Sequence, residues 1–247
     1  MREPEYRAMF EVEDRLWWYV GMRAITSAIL ENSINSTSNP RLLDVGCGTG
    51  FSVHWLREQL GAQAAFGVDI SPNAALFWRE RDLDTLALAK GSALPFCEGE
   101  FDLVTCFDVV YQLDDDEAAS TLSEIRRVLR PGGRLFIREP AYNWMKGAHD
   151  IAVGTRKRYT LGGLTRMLST EGFTIKRRTY ANTLLFGAAV PHRLLSRFRG
   201  AETSDVREVP PLMNRAMTSA LRVEARLLRR ISFPFGLSVA AVAEKKK

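Results

Sequence analysis

The stretch that most constrains the fold is LLDVGCGTG, residues 42–50. Its leucines and valine are typical of a central, buried parallel strand. Three glycines, Gly46, Gly48 and Gly50, then stand at alternate positions. Glycine adopts backbone angles that other residues avoid and lets a ligand approach the main chain. The helix predicted from about residue 51 would begin with N–H groups that lack helical partners, so we expect a small ligand at the end of this strand.

The spacing of the glycines narrows the choice of ligand. A dinucleotide-binding loop has the pattern G-x-G-x-x-G, and its third glycine would fall where this chain has Phe51. Asp44 precedes the turn, and its carboxylate would repel a pyrophosphate but would suit a cationic ligand such as S-adenosylmethionine. The next apolar strand ends at Asp69, about 20 residues later. A carboxylate at that position can accept hydrogen bonds from both ribose hydroxyls.

Apolar strands alternate with helical patterns through the middle of the chain, which predicts an α/β fold with a parallel sheet and helices on both faces. We expect strands near 41–45, 64–69, 86–89, 101–107 and 132–138, helices near 51–60, 73–82 and 115–129, and two last strands near 172–182 and 236–245. Residues 130–133 (RPGG) read as the turn before the fifth strand.

With these motifs in place, residues 40 to 140 resemble the class I S-adenosylmethionine-dependent methyltransferases, in particular the type 11-like enzymes that act on small molecules. The likeness rests on the glycine turn with its leading acid, on Asp69, and on the segments GSALPF (91–96), FDLV (101–104) and RVLRPGGRL (127–135). It implies a doubly wound, Rossmann-like sheet of seven strands in the order 3-2-1-4-5-7-6, with the last strand antiparallel. It also implies S-adenosylmethionine as the methyl donor, S-adenosylhomocysteine as the product, and no metal.

The resemblance also assigns a set of residues to the cofactor. They are Trp18, Arg23, Asp44, Gly46, Cys47, Gly48, Asp69, Ile70, Ser92, Ala93 and Phe107. Arg23 would pair with the carboxylate of the cofactor. Ser92 stands where the family often has an acid that holds the adenine amino group, and a hydroxyl is a weaker acceptor there.

We expect one domain over residues 1–247, with its core in 40–182 and 232–247. Residues 1–39 would form a helical lid, whose aromatic cluster around Trp18 either packs on the core or covers the cofactor. Residues 183–231 separate the last two strands, and about 50 residues are far more than a hairpin loop needs. We expect two helices there, over the substrate opening; a dimer surface or a contact with a membrane surface are the alternatives.

Two loops should border the reacting atoms, because ligands bind beyond the carboxyl ends of the strands in such sheets. The loop after the fourth strand contributes Asp108, and the loop after the fifth contributes Glu139, Tyr142 and His149. An imidazole titrates near neutral pH and is the usual general base. We therefore rank His149 first as the base, ahead of Asp108, Glu139 and Tyr142, and expect transfer to an oxygen of the acceptor.

Four further residues are candidates for binding the acceptor: Tyr111, Trp144, Arg158 and Tyr159. An arginine such as Arg158 could hold a carboxylate or phosphate. A weaker resemblance, carried by Trp144, the His149–Asp150 pair and residues 157–159, is to methyltransferases of glycan, lipid and natural-product pathways. It implies a small-molecule acceptor, either anionic or hydrophobic.

The composition and net charge exclude few classes of function. The net charge is +5, which suits either solvated helix faces or attraction to an anionic substrate, a membrane or nucleic acid. No N/D-PP-Y-type motif for methylating base amines is present, so we do not expect nucleic acid as a partner. The three cysteines are scattered, which favours a cytoplasmic protein. A non-catalytic cofactor-binding module that recruits a partner through residues 183–231 and, less favoured, a nicotinamide-dependent oxidoreductase are the alternatives, and the chain would be a monomer or a homodimer.

Overall fold

The computed structural model describes residues 3–31, 39–147, 150, 153–187, 189–190 and 209–246. The helices within these ranges are α1 (Glu3–Val12), α2 (Trp17–Leu30), α3 (Phe51–Leu60), α4 (Pro72–Glu80), α5 (Asp115–Val128), α6 (Leu161–Thr170) and α7 (Pro211–Leu228). The strands are β1 (Arg41–Val45), β2 (Ala64–Asp69), β3 (Leu86–Leu88), β4 (Phe101–Phe107), β5 (Leu129–Pro140), β6 (Phe173–Ala181) and β7 (Ser238–Lys245). Short 3₁₀ turns occur at Val110–Gln112 and Asn143–Met145.

The strands form a seven-stranded sheet in the order β3-β2-β1-β4-β5-β7-β6. β7 runs antiparallel to both of its neighbours, and the other pairs are parallel. This confirms the predicted fold class and strand order. The direction of winding reverses between β1 and β4, and the crevice at such a switch point is where ligands bind in doubly wound sheets.

Local sequence signals account for most element boundaries. Asp114 accepts a hydrogen bond from the Glu117 backbone N–H at 2.9 Å and so caps α5, as its sequence position predicts. Thr160 caps α6 in the same way, accepting from Gly163 N at 3.1 Å. In β1, Leu43 and Val45 are buried in the core of the sheet, as expected of a central strand.

One prediction of secondary structure was wrong. Residues 130–133 do not form a separate turn, because β5 already begins at Leu129 and includes them. The pairing of β4 with β5 shifts register between Phe101 and Leu103, and Gly132 at φ +78° lies within that irregularity. The helical lead-in predicted at the N-terminus is confirmed and consists of two helices, α1 and α2, which are interrupted at residues 13–16.

The insert between β6 and β7 is confirmed only in its second half. The predicted helix over 212–231 is α7, which packs on α2 where Gly21 leaves room for Leu221: a Cβ on Gly21 would lie 2.2 Å from Leu221 Cδ1. The predicted first helix, 183–198, lies largely outside the described residues. None of the described helices is both long and apolar enough to cross a bilayer.

Candidate cofactor and acceptor site

The glycine turn lies at the carboxyl end of β1 and is tied to β2. The N–H groups of Gly46 and Cys47 donate to Val68 O at 2.8 and 2.9 Å. Gly46 and Gly48 have φ values of +81° and +55°, which favour glycine. A Cβ on Gly46 would lie 2.2 Å from Val109 Cγ2. The turn therefore forms a cradle of bare main chain, as predicted. The Cys47 thiol is buried, and its burial raises its pKa well above the ordinary value.

Asp69 lies directly beside this cradle. Its carboxylate accepts hydrogen bonds from Gly48 N and Ser71 N, each at 2.9 Å, which fix it at the end of β2. The next residue, Ile70, has a side chain that is 64% exposed. Ser92 is half-buried and Ala93 is exposed in the turn that follows β3. A fixed acid next to an exposed apolar side chain fits a nucleoside, since the acid can bind ribose hydroxyls and the apolar surface can contact a flat base.

Asp44 lies beneath the turn instead of facing a ligand. It is 1% exposed, and it accepts hydrogen bonds from the hydroxyls of Thr105, at 2.6 Å, and of Ser52. Burial raises the pKa of Asp44 to about 6, although both hydroxyls favour its charged form. Asp44 therefore connects β1 to β4 and to the first turn of α3. The glycine turn separates its carboxylate from a ligand, so its charge would act on the ligand across that turn.

The N-terminal helix α1 covers the cradle. The Tyr6 hydroxyl donates to Asp69 Oδ1 at 3.3 Å. Met9 lies against Gly48, with its methyl carbon 3.1 Å from the position that a Cβ would take. Burial and the negative charge of Asp69 raise the pKa of Tyr6, so its hydroxyl stays protonated and remains a donor. Helix α1 therefore lies over the glycine turn and Asp69, and the predicted lid over a cofactor stays a prediction.

A buried carboxylate anchors the end of this lid. Glu13 is 5% exposed and accepts hydrogen bonds from Thr49 Oγ1 and from Arg81, both at 2.6 Å. Arg23 donates to the carbonyl oxygens of Glu13 and Asp14, at 2.6 and 3.1 Å. The guanidinium predicted to pair with the cofactor carboxylate is thus bound to the end of α1 in this structure.

The cluster of aromatic residues at the start of α2 belongs partly to the same region. Trp18 is half-buried and packs edge-on against Trp17, with ring centroids 5.9 Å apart. Burial raises the pKa of Tyr19, and the charges of Glu13 and Asp108 add to this effect. Because the charge of Asp108 acts on Tyr19, Tyr19 lies near the end of β4. Tyr19 was not among the predicted site residues. The signal that could have found it is its position beside the two tryptophans.

At the end of β4, Asp108 forms an ion pair. Arg138 donates to Asp108 Oδ2 from Nε at 3.2 Å and also from Nη2. The same guanidinium lies over the Phe107 ring, 5.1 Å from its centroid. Asp108 has φ +55°, in the left-handed region. The candidate base is therefore an arginine-bound carboxyl group at the sheet edge where the ligand is expected.

Glu139 does not lie in a position to act as the base, contrary to the sequence prediction. Its side chain is fully buried, and it accepts hydrogen bonds from the backbone N–H groups of Val109, Val110 and Tyr111 at 3.4, 2.9 and 3.1 Å. Burial raises the pKa of Glu139 to about 8, with a further contribution from the charge of Asp108. Glu139 holds the loop after β4 in place from below.

Arg158 and Tyr159 are also structural in this arrangement, which corrects their prediction as acceptor-binding residues. Arg158 is 9% exposed and binds the Asp150 carboxylate through two hydrogen bonds, at 2.7 and 3.0 Å. The Tyr159 hydroxyl donates to Val110 O at 3.4 Å, with its ring buried. Tyr111 is 9% exposed and uses its carbonyl oxygen to accept from the N–H groups of residues 156 and 157. The three basic residues 156–158 bind the protein's own acids, and these contacts do not favour an anionic acceptor.

An aromatic cluster stands at the carboxyl edge of β5 and β6. It consists of Tyr142, Trp144, Tyr180, Phe186 and Phe235. Tyr142 stacks between Trp144 and Tyr180, with centroid distances of 5.5 and 5.3 Å. Trp144 and Phe235 are 48% and 46% exposed. The cluster thus offers a partly open aromatic surface that can hold an apolar or ring-bearing molecule. Sequence reasoning found only its first two members, because the others come from β6 and the chain around β7.

Two other predictions concern the base and metals. Burial raises the pKa of Tyr142 far above its ordinary value, which keeps its hydroxyl protonated at neutral pH. His149 lies outside the described residues; its neighbour Asp150 is held by Arg158 and by Gly147 N, at 2.7 Å. Among the described residues, no group of three or more His, Cys, Asp or Glu side chains could hold a metal ion.

Comparison with known proteins agrees with this geometry. Residues 43–137 match a family described as "Methyltransferase domain". Over 115 residues the chain is 31% identical to the methyltransferase GfsG of Streptomyces halstedii, an alignment that covers 44% of this chain and 40% of that protein. Over 98 residues it is 36% identical to the malonyl-[acyl-carrier protein] O-methyltransferase of Hahella chejuensis, covering 38% of this chain and 34% of that one.

Among solved structures, phosphoethanolamine N-methyltransferase 2 of Haemonchus contortus, in complex with S-adenosyl-L-methionine, shares the fold with a TM-score of 0.58. It is 20% identical, and the match covers 89% of this chain and 52% of that one. The chain spans well under half the length of the two relatives named above. The residues that match the family, 43–137, include the glycine turn and Asp69.

Proposed function

Because the chain carries a class I S-adenosylmethionine-dependent methyltransferase domain, we propose that it transfers a methyl group from S-adenosylmethionine to a small-molecule acceptor. The single observation that carries this proposal is the contact between Asp69 and the main chain of Gly48, at 2.9 Å. It joins the acid that can bind a ribose to the cradle where a ligand can approach bare backbone. The proposed localisation is cytoplasmic and the proposed state is a monomer or homodimer, with no nucleic-acid partner.

The residues of the cradle fit the donor molecule. Asp69 would bind the ribose hydroxyls, Ile70 and Ala93 would contact the adenine, and Gly46 and Gly48 would lie against the remainder of the molecule. When bound, S-adenosylmethionine supplies a methyl group on a good sulfonium leaving group. The protein's task is then to exclude water and to align the acceptor, and α1 and the loop after β4 are placed to do both.

We further propose an acceptor oxygen whose proton is taken by an imidazole nitrogen of His149. Of the four candidate bases, Glu139 is fully enclosed, Asp108 is bound by Arg138, and the pKa of Tyr142 is raised. His149 directly precedes Asp150, which Arg158 holds through two hydrogen bonds. One of the relatives described above is named as an O-methyltransferase, which supports oxygen as the accepting atom.

The aromatic cluster supports an acceptor with an apolar or ring-bearing part. Trp144 and Phe235 expose nearly half of their surface at the edge of the sheet where the cofactor cradle also opens. In contrast, Lys157 and Arg158 bind Asp115 and Asp150. We therefore favour a hydrophobic acceptor over an anionic one.

Transfer is tested by incubating the protein with S-adenosylmethionine and a panel of hydroxylated aromatic and isoprenoid compounds, and by measuring product mass. The proposal predicts a mass gain of one methyl group for at least one hydrophobic member of the panel, together with stoichiometric S-adenosylhomocysteine. Asp69→Asn should abolish the gain, and Asp84→Asn, at an exposed acid of the same region, should leave it unchanged. A protein that binds the donor but methylates nothing in the panel, while a known methyltransferase does, would favour the binding-module alternative.

A further inference from the structure

Helix α7 packs on the protein through one face only. Leu221, Ala225 and Leu228 are 0%, 6% and 0% exposed and belong to the core cluster that includes residues of α2. Asn214 adds a polar contact on the same side: its side-chain oxygen accepts from Trp17 N at 2.7 Å. The remainder of the helix surface faces solvent, and its composition is unusual.

Large apolar side chains form a stripe on the solvent side of α7. Leu212, Val223 and Leu227 are 80%, 46% and 43% exposed. At about 100° of rotation per residue they fall within a sector of about 60°. Met213, 50% exposed, lies next to Leu212 in the first turn of the helix, and Ile231, 49% exposed, follows three residues after the helix ends. Exposed apolar residues that are scattered singly need no explanation, but a contiguous patch indicates an interaction site.

Arginines line one side of this stripe. Arg215, Arg222 and Arg226 are exposed and occupy a sector of about 40° next to the apolar stripe. None of the three has an ion pair or a side-chain hydrogen bond with the described part of the chain. Glu224, the one acid within α7, is fully buried. Within α7 itself, the solvent side is therefore basic and apolar, and no acid of the helix is exposed there.

The other side of the stripe continues to the aromatic cluster. Glu224 Oε2 accepts from the backbone N–H groups of Thr183 and Leu184, at 2.8 and 2.9 Å. The Thr183 hydroxyl in turn donates to Phe235 O at 2.6 Å. Leu184 and Phe235, each 46% exposed, therefore lie beside α7. One surface runs from the arginines, across the apolar stripe, to the rings of the proposed acceptor site.

We propose that this surface, the α7 outer face (Leu212, Met213, Arg215, Arg222, Val223, Arg226, Leu227 and Ile231), binds membranes that contain anionic lipids. An interfacial helix combines an apolar face that enters the headgroup region with arginines that attract anionic lipid. A second copy of the chain fits less well, because a two-fold contact through this face would bring the arginines of both copies together, and no exposed acid of α7 would lie between them. On the proposed function, a membrane-dissolved acceptor would reach the aromatic cluster directly.

The test measures binding of the full chain to vesicles by flotation, without donor or acceptor, so that its outcome does not depend on methyl transfer. We expect binding to vesicles with about 30% phosphatidylglycerol and little binding to pure phosphatidylcholine, and a decrease when salt rises from about 0.1 to 0.5 M. Arg222→Gln with Arg226→Gln should lower the partition coefficient about 25-fold, at about fivefold per arginine. Leu227→Asp should also release the protein.

A matched control places the same types of change on an exposed leucine and arginine of α4, Leu76→Asp with Arg79→Gln. These changes should leave vesicle binding unaltered. Equal binding to neutral and anionic vesicles, no binding at all, or binding that survives the α7 changes would each overturn the proposal. So would a dimer in analytical ultracentrifugation that Leu227→Asp dissociates, because the face would then be occupied by a second copy.

Discussion

The hydroxyl of Tyr6 donates a hydrogen bond to the carboxylate of Asp69 across 63 positions of sequence. This contact places the N-terminal helix on the acid that is proposed to bind the ribose. A ligand that uses both carboxylate oxygens must therefore replace the tyrosine or share the acid with it. The position of α1 over Asp69 and the affinity for S-adenosylmethionine are thus linked through the Tyr6–Asp69 hydrogen bond.

Replacing Tyr6 with phenylalanine should tighten binding of S-adenosylmethionine. The change removes a hydrogen bond that competes for Asp69, worth about 1 kcal/mol, so we expect an increase in affinity of about fivefold by calorimetry. Tyr159→Phe, which removes a buried hydroxyl far from Asp69 in sequence, is the control and should not change the affinity. Weaker binding in Tyr6→Phe would show that the tyrosine instead helps to hold the ligand.

Glu139 should make the protein less stable as the pH rises. Its pKa in the folded state is raised to about 8 by burial, above the ordinary value for an exposed glutamate. The folded state therefore holds the proton more tightly than the unfolded state, and the stability it contributes is lost between about pH 4.5 and pH 8. Asp44, whose pKa is raised to about 6, acts in the same direction over the lower part of that window.

The measurement is urea denaturation at pH 5, 6, 7 and 8 for the parent protein and for Glu139→Gln. Between pH 7 and pH 8, where Asp44 is already largely ionised, the free energy of unfolding of the parent should decrease by up to about 1.4 kcal/mol per pH unit from Glu139 alone. In Glu139→Gln the decrease should be smaller. Parallel curves for the two proteins would mean that Glu139 titrates in the ordinary range.

Arg158 should matter for stability more than for acceptor binding. Removing one partner of a buried ion pair leaves an uncompensated charge, so Arg158→Ala should cost about 3–5 kcal/mol of folding free energy. The exposed pair of Arg156 with Asp114 provides the control, since Arg156→Ala should cost about 1 kcal/mol or less. If Arg158→Ala folded as stably as the parent and only raised the KM for the acceptor, the binding role predicted from sequence would be restored.

His149 should affect turnover without affecting the donor. We expect His149→Ala to lower kcat about 100-fold or more, the contribution typical of a general base, with an unchanged Kd for S-adenosylmethionine. It should also remove the limb of the pH–rate profile that titrates near neutral pH. The control is His54→Ala, at an exposed histidine of α3. Full activity of His149→Ala at every pH would exclude it as the base.

The sequence was informative where local patterns determine structure. The strand order, the cap at Asp114 and the positions of the glycine turn and Asp69 at the ends of β1 and β2 followed from periodicity, spacing and resemblance, and the structure confirms them. Their binding of a cofactor stays a prediction. The chemistry of a side chain, in contrast, does not reveal its exposure. Glu139 has the residue type of a base, yet it is buried and accepts hydrogen bonds from three backbone amides. Arg158 has the residue type of an anion-binding group, yet it is buried against Asp150.

Contacts between residues that are distant in sequence could not be predicted either. No local pattern connects Tyr6 with Asp69, or Tyr180 with Tyr142, because each pair depends on how distant segments meet at the sheet edge. The N-terminal helical segment was predicted as a region, while the contact of Tyr6 with Asp69 was not. The acceptor surface was likewise predicted only from the loop that follows β5.

The central claim is that Asp69 and the glycine turn bind S-adenosylmethionine, and calorimetric titration tests it most directly. The parent protein and Asp84→Asn should bind S-adenosylmethionine with micromolar affinity. Asp69→Asn should bind it at least about tenfold more weakly, because charge-assisted hydrogen bonds are lost. NADH should not bind to the parent protein. Equal affinity of Asp69→Asn and the parent, or binding of NADH alone, would contradict the account.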